Sequence, residues 1–143
     1  MAWNKNQIET YIKDTKSLVL ATVNEDGDPE LRSIGGYGIR NLNIYFATAK
    51  ASAKVAQIKE HQTVAALFLQ EGQEKPKNIT VYGTAKAVEA DEAEEGIAVI
   101  KQRRPQFAYN EKTQLIYRIT VEKIKILDFE SETKTQILFR KEI

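Results

Sequence analysis

The chain has 143 residues, the length of one ordinary domain, with 42% hydrophobic and 29% charged residues, a globular rather than a disordered balance. Its 21 Lys and Arg against 20 Asp and Glu leave a formal charge of +1, without the basic excess of a nucleic-acid binder. With no cysteine and one histidine, disulfides, thiolate metal sites, thiol nucleophiles and His-rich metal centres are excluded.

The opening MAWNKNQIETYIK lacks the apolar stretch of a signal peptide, and no run approaches the ~20 apolar residues that cross a bilayer, so a cytoplasmic location without a membrane partner is expected. Ile8, Tyr11, Ile12 and Thr15 then form the stripe of a short amphipathic helix over 6–17. Leu18 to Val23 is a compact aliphatic strand, and Asp26-Gly27 marks a hairpin turn. The returning strand spans Glu30 to Arg40, and a third runs from Asn43 to Thr48 after a tight turn.

The period changes after Thr48. Val55, Ile58 and Lys59 share a helical face, with Ser52 placed to cap that helix. Val64 to Leu69 is apolar on both faces, as in a buried strand. After a polar turn at Glu71 to Lys77, a long strand covers Asn78 to Glu89. Asp91 and Glu94 are spaced as a helix cap, and Pro105 ends that helix near Arg103. The last long strand runs from Leu115 to about Phe129, bent near Glu122-Lys123, and the apolar Ile137-Leu138-Phe139 closes the chain. No repeat or linker divides residues 1–143, so a single domain is predicted: mainly β with peripheral helices, a six-stranded antiparallel barrel, closed or split.

Three features meet between Leu31 and Lys54. Arg32 lies in a strand, where a charged side chain needs a partner. Gly35, Gly36 and Gly38 interrupt the same strand, as at a bulge or a close approach of backbone or ligand. Thr48, Ser52 and Lys54 set two hydroxyls and an ammonium around a helix N-terminus, which favours phosphate. Arg32 would grip the same anion as a two-pronged fork. The same residues also admit a plain reading: a cap, a solvated lysine, a barrel bend, and an arginine paired with Glu30. His61 reads as a surface residue at a helix exit.

In order and spacing, Arg32, Thr48, Ser52 and Lys54 resemble the pyridoxamine 5'-phosphate oxidase-like, FMN-binding split-barrel family, over nearly the whole chain. The resemblance implies a split barrel in which Arg32 and Lys54 bind the FMN phosphate and Thr48 and Ser52 add hydrogen bonds. It implies that Ser33 and Ile34 line the isoalloxazine, that Asn78 stands where relatives carry a glutamine near the flavin, and that two chains form a homodimer with flavin at the interface. In the family, the oxidase of vitamin B6 contacts its substrate through arginine and histidine of a C-terminal segment, and no histidine follows His61 here, which argues against that activity. Relatives that handle nitroimidazoles or haem tend to use a histidine for which His61 is poorly placed, so their activities are not expected either. The expected function is that of a flavin-dependent oxidoreductase of a small molecule, with the catalytic residues unassigned. The alternative is a non-catalytic flavin or haem binder of the stress-response kind.

Overall fold

In the computed structural model, which describes residues 3–143, the first apolar stripe becomes α1 (Lys5–Asp14). Asn4 and Gln7 cap one another's backbone N–H groups, and Ile8, Tyr11 and Ile12 are buried. The helix stops short of residue 17 because Thr15 is extended and donates its hydroxyl to the Tyr11 carbonyl.

Strands β1 (Leu18–Val23) and β2 (Pro29–Ile34) form the expected antiparallel hairpin. Asn24 Oδ1 accepts the N–H groups of Asp26 and Asp28 across its turn, and Gly27 takes a φ of 85° that resists a side chain. The chain then bends at Gly35-Gly36, so the expected strand from Glu30 to Arg40 is two strands, β2 and β3 (Tyr37–Arg40). β4 (Asn43–Ala49) returns through Asn41 and Leu42, both at positive φ. There follow α2 (Ala53–Glu60), β5 (Thr63–Leu69), β6 (Lys77–Val88), α3 (Ala90–Arg103), β7 (Gln114–Asp128) and β8 (Thr135–Phe139). α3 begins before Asp91, after Glu89. Asp91 is therefore not the cap, and it lies with Glu92 in the first turn, where a carboxylate meets the positive helix end.

The eight strands form one antiparallel sheet in the order β2-β1-β5-β6-β7-β4-β3, with β8 on β7. They exceed the expected six because the glycine corner splits one strand and the Ile137–Phe139 piece pairs with the end of β7. β7 is long enough to hold β6 along one edge and β4, then β8, along the other. Its pairing with β6 slips where Tyr82 meets Lys123 and Gly83 meets Val121, leaving Glu122 as the extra residue of a bulge. The bend expected at Glu122-Lys123 is there. The sheet curls, but among the described residues no ladder joins its end strands β2 and β3. The architecture is a mainly-β split barrel with peripheral helices, and no described helix is long and apolar enough to cross a membrane.

Leu18, Leu20, Phe46, Phe68, Ile79 and Ile124 fill the concave side. A second cluster, built on Tyr45, Val99, Ile100 and Ile116, lies where α3 covers β3, β4 and β7 from outside. Gly38 serves this packing: a Cβ there would strike the Val99 carbonyl of α3. Arg103, at the end of α3, donates to the carbonyls of Lys13, Thr15, Lys16 and Gly35, and its guanidinium lies 3.8 Å from the Tyr37 ring centre. Burial pushes the Tyr37 phenol up to about 12, against the pull of Arg103, and its hydroxyl donates to the carbonyls of Ile12 and Thr15.

Two glycines two residues apart should therefore respond oppositely. Gly38→Ala is expected to lose about 1–3 kcal/mol by overpacking against helix backbone. Gly36→Ala, whose new methyl would meet only Phe107 at 3.8 Å, should be neutral or gain up to about 1 kcal/mol. Urea midpoints of the two variants check this, and equal midpoints would rule out the α3 contact as the cause.

Candidate functional site

Strand alternation decides what Arg32 can reach. It pairs with Leu20 of β1, so it lies on the concave face, while its neighbours Leu31 and Ser33 point outward. Its guanidinium donates to Thr22 Oγ1 at 2.5 Å and to Gln57 Oε1 of α2 at 3.1 Å. Further donations reach the Leu20 and Glu30 carbonyls, and the Glu30 carboxylate stands 3.8 Å away. Burial lowers the Arg32 value, and Glu30 partly offsets this. The sequence left open a pairing of Arg32 with Glu30, and it is present, though long for a salt bridge.

Lys54 projects from the first turn of α2, three residues before Gln57, so both lie on one face of the helix. Its ammonium donates to Ser52 Oγ at 2.7 Å. Ser52 occupies the cap position but makes no side-chain cap bond, so the helix N–H groups are left without that partner. Lys54 is held below the usual lysine range, first by burial and then by the nearby charge of Arg32. Between the folded and unfolded values the unfolded chain holds more protons, so stability rises with pH across that interval. Two cations held together are unfavourable at neutral pH, and an anion between them would reverse that effect.

Thr48 ends the concave face of β4 and is 5% exposed. Its hydroxyl is the one buried side-chain polar atom among the described residues without a hydrogen-bond partner. A stranded buried hydroxyl is destabilising unless something meets it. Arg32, Lys54, Ser52 and Thr48 thus supply an arginine fork, an ammonium, free helix N–H groups and an unused hydroxyl, a donor set suited to a phosphate.

Ser33 is exposed on the convex face, whereas the Ile34 side chain is buried and only its main chain is available. Among the described residues β2 has a strand on one side only, so its other edge offers N–H and C=O groups. Asn78 aligns with Leu69 and Leu127, on the convex face that Ser33 shares and Arg32 does not. Three strand steps separate β2 from β6, about 14 Å. Within one chain, Asn78 is therefore not brought to Arg32. His61 ends α2 and is exposed.

Two arrangements escaped the sequence reading. One is the group of Glu30, Asn24, Gln57 and Thr22 around Arg32, in which Asn24 Nδ2 donates to Glu30 at 2.8 Å and Thr22 donates to Gln57 at 2.5 Å. The other is a hollow of about 610 Å3 beside the β2–β3 corner, lined by Gly36, Arg103, Arg104, Pro105, Gln106 and Phe107. The exposed Arg104 side chain takes no hydrogen bond or ion pair among the described residues, and it lies over Gly35. The sequence shows Arg104 and Phe107, but only the packing of α3 brings them to that corner.

A family model described as pyridoxamine 5'-phosphate oxidase matches residues 5–128. A pyridoxine/pyridoxamine 5'-phosphate oxidase of Rippkaea orientalis is 34% identical over 67 residues, 47% of this chain and 32% of that protein, so the match spans about a third of the relative's length. Among solved structures, a candidate 5-nitroimidazole antibiotic resistance protein of Bacteroides thetaiotaomicron superposes with a TM-score of 0.76 at 14% identity, covering 86% of this chain and 82% of the other. A heme binding protein of Mycobacterium smegmatis gives 0.77 at 13% identity, covering 99% of this chain and 60% of that one. At these identities the structures attest the fold.

Thr48→Val replaces the stranded hydroxyl with a methyl of similar shape. The ligand-free variant is expected to match the parent or gain about 1 kcal/mol in a urea titration. A loss beyond about 1 kcal/mol would mean that the hydroxyl already has a partner in the folded chain.

Proposed function

The chain belongs to the pyridoxamine 5'-phosphate oxidase family, and from that premise we propose that it binds FMN and works as a flavin-dependent oxidoreductase of a small molecule. The observation that carries this reading is the closeness of two half-buried cations, Arg32 and Lys54, together with Thr48, whose buried hydroxyl has no partner among the described residues and which stands at the end of the strand that leads into the same helix. A phosphate monoester would relieve the repulsion of the first two and occupy the third.

In this reading Arg32 and Lys54 hold the phosphate, with Ser52 and Thr48 as additional partners. The free edge of β2 at Ser33 and Ile34 offers main-chain donors and acceptors to the ring's pyrimidine side. Such donors favour negative charge on a reduced ring, and bound FMN would supply the hydride or electron transfer itself. The hollow at Gly36, Arg104 and Phe107 is beside that edge, and the Arg104 guanidinium, without a partner among the described residues, suits a substrate with a negative charge.

The convex face supports a homodimer. Leu31 and Leu69 are 70% and 51% exposed, and Val19, Ala21, Ala65 and Leu67 lie between them on the same face. A contiguous apolar face of this kind favours association. A second copy packed there would bring groups such as its own Asn78 towards the first chain's flavin. Replacing Leu31 and Leu69 together by Lys is expected to yield a monomer in light scattering with weakened flavin retention. A double variant that stays dimeric would move the interface elsewhere.

The purified protein should show flavin absorption bands, and a haem band in their place would favour the haem-binding alternative. Arg32→Ala and Lys54→Ala should each weaken FMN about 10- to 100-fold, equivalent to one charged hydrogen bond of about 1.5–3 kcal/mol. Riboflavin, which lacks the phosphate, should bind both variants as it binds the parent. Equal losses for the two ligands would overturn the phosphate assignment.

A further inference from the structure

Thr22 breaks the apolar row on the concave side of β1. Leu18 and Leu20 precede it there, and at 1% exposure an apolar side chain of the same shape would pack as well and need no partner. Among the described residues its hydroxyl meets only Arg32 and Gln57. The donors and acceptors of these three side chains fit together in one way. A guanidinium can only donate, so the Thr22 oxygen accepts from Arg32 Nη1 at 2.5 Å and gives its own hydrogen bond to Gln57 Oε1 at 2.5 Å. The same Gln57 oxygen accepts from Arg32 Nη2 at 3.1 Å. Both terminal nitrogens of Arg32 are thereby engaged, while its Nε makes no hydrogen bond among the described residues.

We infer that Thr22 and Gln57 are positioning residues for the anion corner: they hold the Arg32 guanidinium by its terminal nitrogens, leave its Nε–H for the phosphate, and fix the helix that carries Lys54 against β2. The inference rests on the phosphate reading above. Gln57 lies three residues after Lys54 on one face of α2, so its bond to Arg32 sets the rotation of the helix as well as the plane of the guanidinium. The Lys54 ammonium itself donates to Ser52, on its own side of the corner, and does nothing to tie α2 to β2.

Two cations on neighbouring elements repel, and both side chains are long and rotamer-rich. Without the Thr22–Gln57 bonds, Arg32 and Lys54 would separate in the empty site and have to be brought together by the ligand. A guanidinium whose orientation is set beforehand loses little freedom on binding, so these two residues add affinity without touching the phosphate. A purely structural role predicts something else: their loss would lower stability and leave the preference for a phosphorylated ligand as it was.

The experiment compares dissociation constants of FMN and riboflavin, by quenching of flavin fluorescence, for the parent, Thr22→Val, Thr22→Ser and Gln57→Met. Thr22→Val and Gln57→Met are each expected to weaken FMN about 3- to 10-fold, the cost of ordering one side chain at binding, with riboflavin unchanged. Thr22→Ser, which keeps the hydroxyl, should retain the parent's FMN affinity. In an Arg32→Ala background Thr22→Val should cause no further loss, because it acts through the arginine. An FMN-to-riboflavin ratio unmoved in both Thr22→Val and Gln57→Met, an equal loss with and without Arg32, or tighter FMN binding in either variant would overturn the inference. Gln57 is half-buried on a helix surface, so Gln57→Met keeps the test if Thr22→Val does not fold. A parent that binds neither flavin, or riboflavin as tightly as FMN, would instead overturn the phosphate reading, and this inference with it.

Discussion

A guanidinium on the concave face of an edge strand is the constraint around which this chain's polar structure is arranged. Arg32 cannot turn outward without moving β2 by one residue, and that slip would expose Ile34 and bury Ser33. The register is fixed by the apolar partners Leu18 and Leu20 of β1, so the charge stays inside and the neighbourhood supplies its hydrogen bonds. Thr22 comes from β1, Gln57 from α2 and Glu30 from two residues back on β2. The same demand orients α2, because its first two turns must present Lys54 and Gln57 together towards β2.

The barrel and the site are two consequences of one opening. A closed sheet would pair β2 with another strand and leave no free edge. Here the chain turns at Gly35-Gly36, and Arg103 holds that turn to the end of α1 by its carbonyl bonds and the Tyr37 ring. The split is thus braced by a cation at the end of α3, which keeps the β2 edge open beside the hollow at Arg104 and Phe107. Stability and access are met by different arginines: Arg103 is consumed by structure, Arg32 is held by Thr22, Gln57 and Glu30, and Arg104 takes no hydrogen bond or ion pair among the described residues.

The corner from Thr48 to Lys54 was legible because it is local. Seven consecutive residues end a strand, turn and start a helix, and hydroxyls and an ammonium at such a turn have few places to go. Arg32 was legible for a related reason, since a charge in an alternating apolar strand stands out. Of the glycines expected at a bulge, a bend or a close approach, Gly35 and Gly36 form the corner between β2 and β3, while Gly38 makes the close approach, to the Val99 carbonyl of α3 some 60 residues on, and no local pattern announces that. The Arg103 contacts needed α1, β3 and α3 to be placed together. Asn78 shows a further limit: its strand was evident, but its face depends on register across β5 and β1, which only the assembled sheet supplies. α3 starts at Ala90, after Glu89, ahead of the carboxylate pattern that suggested Asp91 as its cap.

A crystal structure of the protein with FMN tests the phosphate corner most directly. Phosphate oxygens within hydrogen-bond distance of Arg32, Lys54 and the Thr48 hydroxyl, with the ring along the free edge of β2, are the predicted result. An FMN whose phosphate lies in solvent, or is held by residues away from the start of α2, would contradict it.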